Sequence, residues 1–266
     1  MTDDLRDGAR RKRWNTGLIL KVAFAVQCAL ALLVVSSDFP AGTIDRLLPA
    51  GPRTPSTAVP VAPGDQTRRF EPRRLPAQGP TGPGFPSGGS VTPRLEFSMA
   101  EVGGRAGTVI LSGAIQDGDA LRLRNWLMAS AEPAAAFALH SPGGAVHEAM
   151  EIGRTIRATQ LPVVVAAGAA CFSACPYILA GGEKREVSRT AMVGVHQHYF
   201  GENTFLPAFL LVSDIQAGQG EVMTYLAEMG IDPLMMAKAL MTPPDDIYVL
   251  LPAELEEFRL ATKLID

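Results

Sequence analysis

The chain has 266 residues and a formal net charge of -3, with 24 Lys and Arg against 27 Asp and Glu. That balance gives no general electrostatic ground for binding nucleic acid. Apolar residues are unevenly spread, so one folded core with appendages is expected rather than two domains.

The first appendage is N-terminal. Arg10, Arg11, Lys12 and Arg13 precede TGLILKVAFAVQCALALLVV, an apolar run of 20 residues from Thr16 to Val35. A helix of that length crosses a bilayer core of about 30 Å. Lys21 lies in its first turns, where the long stem can carry the ammonium to the headgroups. Asp38, Asp45 and Arg46 are the charges that follow, so the positive-inside bias predicts a cytoplasmic N-terminus and a domain in the periplasm or extracellular space. The expected organisation is a basic N-terminus (1–14), a signal anchor in the inner membrane (15–36), a linker (37–93) and a folded domain (94–266). A signal peptide cleaved before Asp38 is the competing reading, although no A-x-A site stands there. The linker follows from composition. Eleven prolines between Pro49 and Pro93, with no periodic apolar pattern, predict an extended segment that cannot bury enough surface to order itself.

From about Arg94 the composition becomes globular. GTVILSGAI reads as a strand, DGDALRLRNWLMASA as a helix and AAAFALHS as a second buried strand. The loop SPGG follows, then the helical pattern AVHEAMEIGRTIRAT and a third strand, LPVVVAAG. AMVGVH is a further strand ending on His196, and apolar helices are expected around Phe205–Gly230 and Pro233–Met241. Alternating strands and helices predict an α/β fold with a largely parallel sheet, whose ligand sites lie beyond the strand C-termini. SPGG and CFSAC both fall there.

Those loops carry the parts an acyl-transfer site needs. Ser173 sits on a strand-to-helix turn, His196 is a candidate base, and Gly143 and Gly144 allow close approach of backbone N–H groups to a substrate carbonyl. A serine in such a turn also serves commonly as a helix cap. In order and spacing, SPGG, then CFSAC leading into YILAGGEKR, then VGVHQ resemble the Clp protease proteolytic subunit, over about Gly107 to Asp266. The resemblance implies a Clp/crotonase-like fold of ββα units and a serine peptidase. It assigns Ser173 as nucleophile, His196 as base, and Gly143, Gly144 and Ala174 as oxyanion donors. It further implies Asp246, two residues before Tyr248, as the third triad member, with Asp245 one step out of register. Peptide or protein substrates, no cofactor and a ring or trimer follow from the same resemblance, and the apolar FLPAFLLV segment after the histidine could serve such an interface.

Several alternatives stay open in the sequence. Cys171 and Cys175 could form a disulfide across Ser173 or pack as buried thiols. With His196 and His198 they make a metal set, but the spacing is not that of a zinc knuckle, and none is expected. Lys184 and Lys238 are candidates for a Ser/Lys dyad, although neither stands in a recognisable context. His140 replaces the polar amide usual before SPGG in that family, which puts the peptide-binding edge in doubt. The rival from another class is a catalytically silent domain that binds peptides or partners.

Overall fold

The structure, a computed structural model, describes residues 16–37, 61–75, 80, 85, 91–198 and 208–266. Helix α1 (Thr16–Ser37) forms over the apolar run, within a unit spanning Met1–Arg53. Its side chains are described at 17 and 20–31, where all are exposed, and among the described residues no helix is long and apolar enough to cross a membrane. The basic cluster at Arg10 to Arg13 lies outside the described residues.

The second unit, Thr54–Asp266, holds the rest. In chain order it runs β1 (Thr67–Arg69), β2 (Glu96–Val102), β3 (Arg105–Ser112), α2 (Asp119–Ala129), β4 (Ala136–His140) and α3 (Val146–Thr159). It continues through β5 (Val163–Val165), β6 (Ala170–Phe172), α4 (Cys175–Ala180), β7 (Arg185–Ser188), β8 (Met192–Val195) and α5 (Ala208–Glu228). It ends with α6 (Met235–Met241), β9 (Asp246–Val249), α7 (Pro252–Glu257) and β10 (Lys263–Ile265). Of the apolar stretch expected at an interface, residues 205–207 lie outside the described residues.

Two sheets replace the single one expected. Six strands in the order β10-β7-β5-β4-β3-β2 are parallel except for the edge strand β2. Every residue of the central strand β4 is buried, which is why AFALH reads as a continuous apolar run instead of an alternation. The second sheet has the order β1-β9-β8-β6. The expected third strand is therefore shortened to β5, and the segment after it, expected as loop, forms a further strand, β6. β5 ends in the large sheet at Val165, a turn closes with the Ala169 N–H on the Ala166 carbonyl, and β6 begins in the small sheet. Gly168 supplies the positive φ of 72° that this turn uses.

The folded unit also begins earlier than composition suggests. Residues 61–75 of the expected linker are ordered: β1 pairs antiparallel with β9, Thr67 opposite Tyr248 and Arg69 opposite Asp246. Strand pairing draws on main-chain groups, so a proline-rich segment needs few apolar side chains to join a sheet. Phe70 and Leu75 suffice, packing with Ala170, Phe172, Ile247 and Val249. Arg68 is fully buried and bridges both carboxylate oxygens of Asp65, at 2.6 and 2.8 Å.

Helix α3 shows why helices sit so close behind the sheets. Its face of Ala149, Met150, Ile152, Gly153 and Ile156 is buried, and a Cβ at Gly181 just past α4 would run into the Gly153 backbone. Glycine at both positions lets α3 and α4 approach, and that contact fixes the direction in which α4 leaves the small sheet.

Candidate active site

The small sheet collects its chemistry at one edge. β6 and β8 are parallel, so their C-terminal ends present Ser173 and His196 side by side, and antiparallel β9 begins at the same edge with Pro244 and Asp245 just before it. Ser173 Oγ lies 2.8 Å from His196 Nε2. His196 Nδ1 lies 2.9 Å from the Pro244 carbonyl oxygen. A carbonyl only accepts, so Nδ1 carries the proton and Nε2 presents its lone pair to the serine hydroxyl, the tautomer a general base requires.

Ser173 itself has φ of 59°, a left-handed conformation uncommon for a residue with a side chain. Its N–H is held by the Gly194 carbonyl at 3.0 Å, and the next residue, Ala174, precedes α4. A disulfide joins Cys171 to Cys175, with Cα atoms 5.1 Å apart, so both ends of the turn carrying Ser173 are covalently tied. The disulfide reading of the sequence is therefore the one the structure adopts.

The Ser-Pro-Gly-Gly loop comes from the large sheet and is sewn to this turn. The Ser141 N–H donates to the Ala170 carbonyl, and the Phe172 N–H donates to the Ser141 carbonyl at 3.0 Å. The Ser141 hydroxyl donates to the Gly113 carbonyl and accepts from the Gly143 N–H at 3.1 Å. Among the described residues, the N–H groups of Gly144 and Ala174 have no acceptor. Gly143 is thus committed within the loop, and its neighbours supply the available donors. A Cβ on Gly143 would stand 2.5 Å from the Ser173 Cβ and 2.8 Å from the Ala174 nitrogen, so the loop abuts the turn of Ser173 with no room for a side chain.

Residues 103–225 match the Clp protease family. The match includes the Ser-Pro-Gly-Gly loop, Ser173 and His196, and it stops before Pro244, Asp245 and Asp246. The α/β fold of the folded unit is accordingly Clp protease-like. Among solved structures, a ClpP1 point variant from Listeria monocytogenes is similar, at 21% identity and a TM-score of 0.47, covering 60% of this chain and 91% of that one. No curated protein matches.

The Ser173–His196 pair opens on a cavity of about 800 Å³, lined by Ser173, His196, His198, Gly143, Gly144 and, from upstream, Phe70 and Pro72. Val146 and Met150 give it an apolar wall, while Glu221 and Asp245 place carboxylates around it. Burial lowers the affinity of His196 for a proton below that of an ordinary histidine. The hydrogen bond to Pro244 and the charge of Asp245 act in the opposite direction.

Asp246 is not brought to His196 Nδ1. The Pro244 carbonyl occupies that position, and the Asp246 carboxylate, on the first residue of β9, lies 3.9 Å from the Arg69 guanidinium across the β1–β9 pair. Asp245 pairs with the same arginine at 3.4 Å and lines the cavity. Lys238 is engaged elsewhere, 3.0 Å from Glu254, and Lys184 lies exposed in the turn before β7. The sulfurs of Cys171 and Cys175 are bonded to each other, and His198 Nε2 sits 2.8 Å from the Tyr177 hydroxyl. Buried His140 also has a structural task. Its Nδ1 accepts the Ala170 N–H at 3.2 Å, tying β4 to β6, and burial pushes its pKa down to about 4. Sequence reasoning missed Pro244, which acts through a main-chain atom and has no side-chain signature. It also missed Phe70, whose only signal is a lone aromatic within TRRFEPRRL.

Proposed function

We propose that this chain is a membrane-tethered serine peptidase that cleaves peptide bonds through an acyl-enzyme. The observation that carries the reading is the 2.8 Å approach of the Ser173 hydroxyl to the correct nitrogen of His196, facing a cavity and beside two N–H groups that have no acceptor among the described residues. Ser173 Oγ attacks the substrate carbonyl while its proton passes to His196 Nε2. The developing oxyanion is met by the N–H groups of Gly144 and Ala174. The tetrahedral adduct collapses, the amine leaves with the proton from Nε2, and the acyl group remains on Ser173. Water then repeats the sequence, giving its proton to His196 and releasing the acid. Gln197 keeps this geometry aligned: its side-chain amide donates to the Leu240 carbonyl and its N–H to the Thr242 carbonyl, which fixes His196 against the Pro243-Pro244 turn.

The test is labelling of the full-length protein by a fluorophosphonate probe. Wild type should label and Ser173→Ala should not; an unlabelled wild type would point to the silent, peptide-binding domain instead. Placement of the domain in the periplasm rests on the basic cluster before the apolar run. Protease added outside the inner membrane should then degrade the folded domain and spare the N-terminus, whereas a soluble form starting near Asp38 would count against a retained anchor. A homo-oligomer is the reading for assembly, supported by the Clp protease match and by Val212 and Met223 exposed on α5.

A further inference from the structure

We infer that Phe70 is a positioning residue for His196, so that the catalytic unit of this chain begins at strand β1, upstream of the residues that match Clp protease. This rests on the reading of Ser173 and His196 as nucleophile and base. The first ground is topological. β1 runs opposite to β9 and therefore finishes where β9 starts, at the edge that already holds Ser173, His196 and Pro244. The Phe70 N–H donates to the Asp245 carbonyl at 2.9 Å, which extends the ladder by one residue and sets the side chain over the site.

The second ground is contact. The Phe70 ring meets the imidazole of His196 edge-on, with centroids 4.8 Å apart and planes at 61°, and rests against Phe172 at 6.2 Å and 89°. Phe70 is only 7% exposed, yet it lines the cavity with Pro72. It is thus at once a cover for the base and a wall of the substrate space.

The third ground is what the base otherwise lacks. A carboxylate at Nδ1 would grip the imidazole through a charge-assisted bond, about twice as strong as the neutral one made by a carbonyl. With Pro244 in that place, one neutral hydrogen bond fixes the ring at Nδ1, and the inclined aromatic ring packed against the imidazole restricts tipping. Among the described residues, the groups that face or surround His196 are the Phe70 ring, the Ser173 hydroxyl, the Pro244 carbonyl, the Asp245 carboxylate and His198, whose pKa burial and His196 together push down to about 4. Phe70 is the apolar member of that set, and it keeps water from the ring.

The experiment compares fluorophosphonate labelling rates across pH for full-length wild type, Phe70→Ala, Phe70→Leu and Phe70→Tyr, with Ser173→Ala as the blank. Phe70→Ala should label at least about tenfold more slowly, as expected for a misplaced general base. Its acid limb should also move to higher pH, because water admitted to the imidazole stabilises the charged form. Phe70→Tyr, which keeps the ring, should restore most of the rate and the wild-type limb. Should Phe70→Ala fail to fold, Phe70→Leu is read in its place, and a folded Leu variant slowed several-fold supports the role. A folded Ala or Leu variant with the wild-type rate and limb overturns it while leaving the peptidase reading intact. A wild type that does not label overturns both.

Discussion

At the residue scale, the Pro244 carbonyl under His196 holds the neutral tautomer but brings no full charge to meet the imidazolium that the proposed mechanism forms as Ser173 gives up its proton. The nearby charge belongs to Asp245, whose side chain is largely exposed and shared with Arg69. Asp246→Asn should therefore change the labelling rate by less than about twofold, and Asp245→Asn should slow it only a few-fold, since an exposed charge is screened. The pH dependence has a definite sign. Burial holds His196 below the ordinary histidine value of 6.5, so the neutral base persists to lower pH and the acid limb should fall below 6.5. Removing the Asp245 charge takes away an attraction that favours the protonated ring, so the limb of Asp245→Asn should lie lower still; a rise would contradict this electrostatic account. Gly143→Ala should be far more damaging. It forces a Cβ into the Ser173 turn at a φ of 96°, displacing a donor loop whose individual N–H groups are each worth roughly 10²-fold or more in rate. Retained labelling in a folded Gly143→Ala variant would show that the loop has slack. That Ser173, His196 and the glycine pair would come together was legible because side chains, or their absence, stand at fixed spacing in the sequence. The orienting group was not, because any residue can present a carbonyl.

At the element scale, the disulfide joins β6, the strand before Ser173, to the first residue of α4, and it encloses the positive-φ Ser173 within a loop of sequence separation 4. Reduction should let that turn relax toward ordinary backbone angles and shift the Ala174 N–H. Because loss of one oxyanion donor costs about 2.7 to 4 kcal/mol, even partial displacement should slow labelling several-fold. Reductant and the Cys171→Ala, Cys175→Ala double variant should agree. Equal rates in untreated, reduced and double-variant protein would make the cysteines simple packing. Helices α2 and α3 were readable from periodicity and strands β3, β4 and β8 from short continuous apolar runs, since each buries its own apolar residues. β1 and the separate strand β6 were not. The former joins through main-chain pairing inside a proline-rich stretch, and the latter depends on which sheet three short apolar residues enter, a choice made by long-range contacts.

At the scale of the whole folded unit, two sheets meet at the site. The glycine loop belongs to the large sheet, Ser173 and His196 to the small one, and the hydrogen bonds of Ser141 and His140 hold them in register. That division makes the site a strain gauge for the seam between the sheets. Sliding one against the other by a fraction of a hydrogen-bond length would leave nearly all helices and strands intact, yet part the oxyanion donors from the serine they serve. In rising urea, fluorophosphonate labelling should therefore fail at a lower concentration than the far-ultraviolet circular dichroism signal, and coincident midpoints would show that the seam opens only with global unfolding. Catalytic competence would then report not on the survival of either sheet but on their agreement about where they stand.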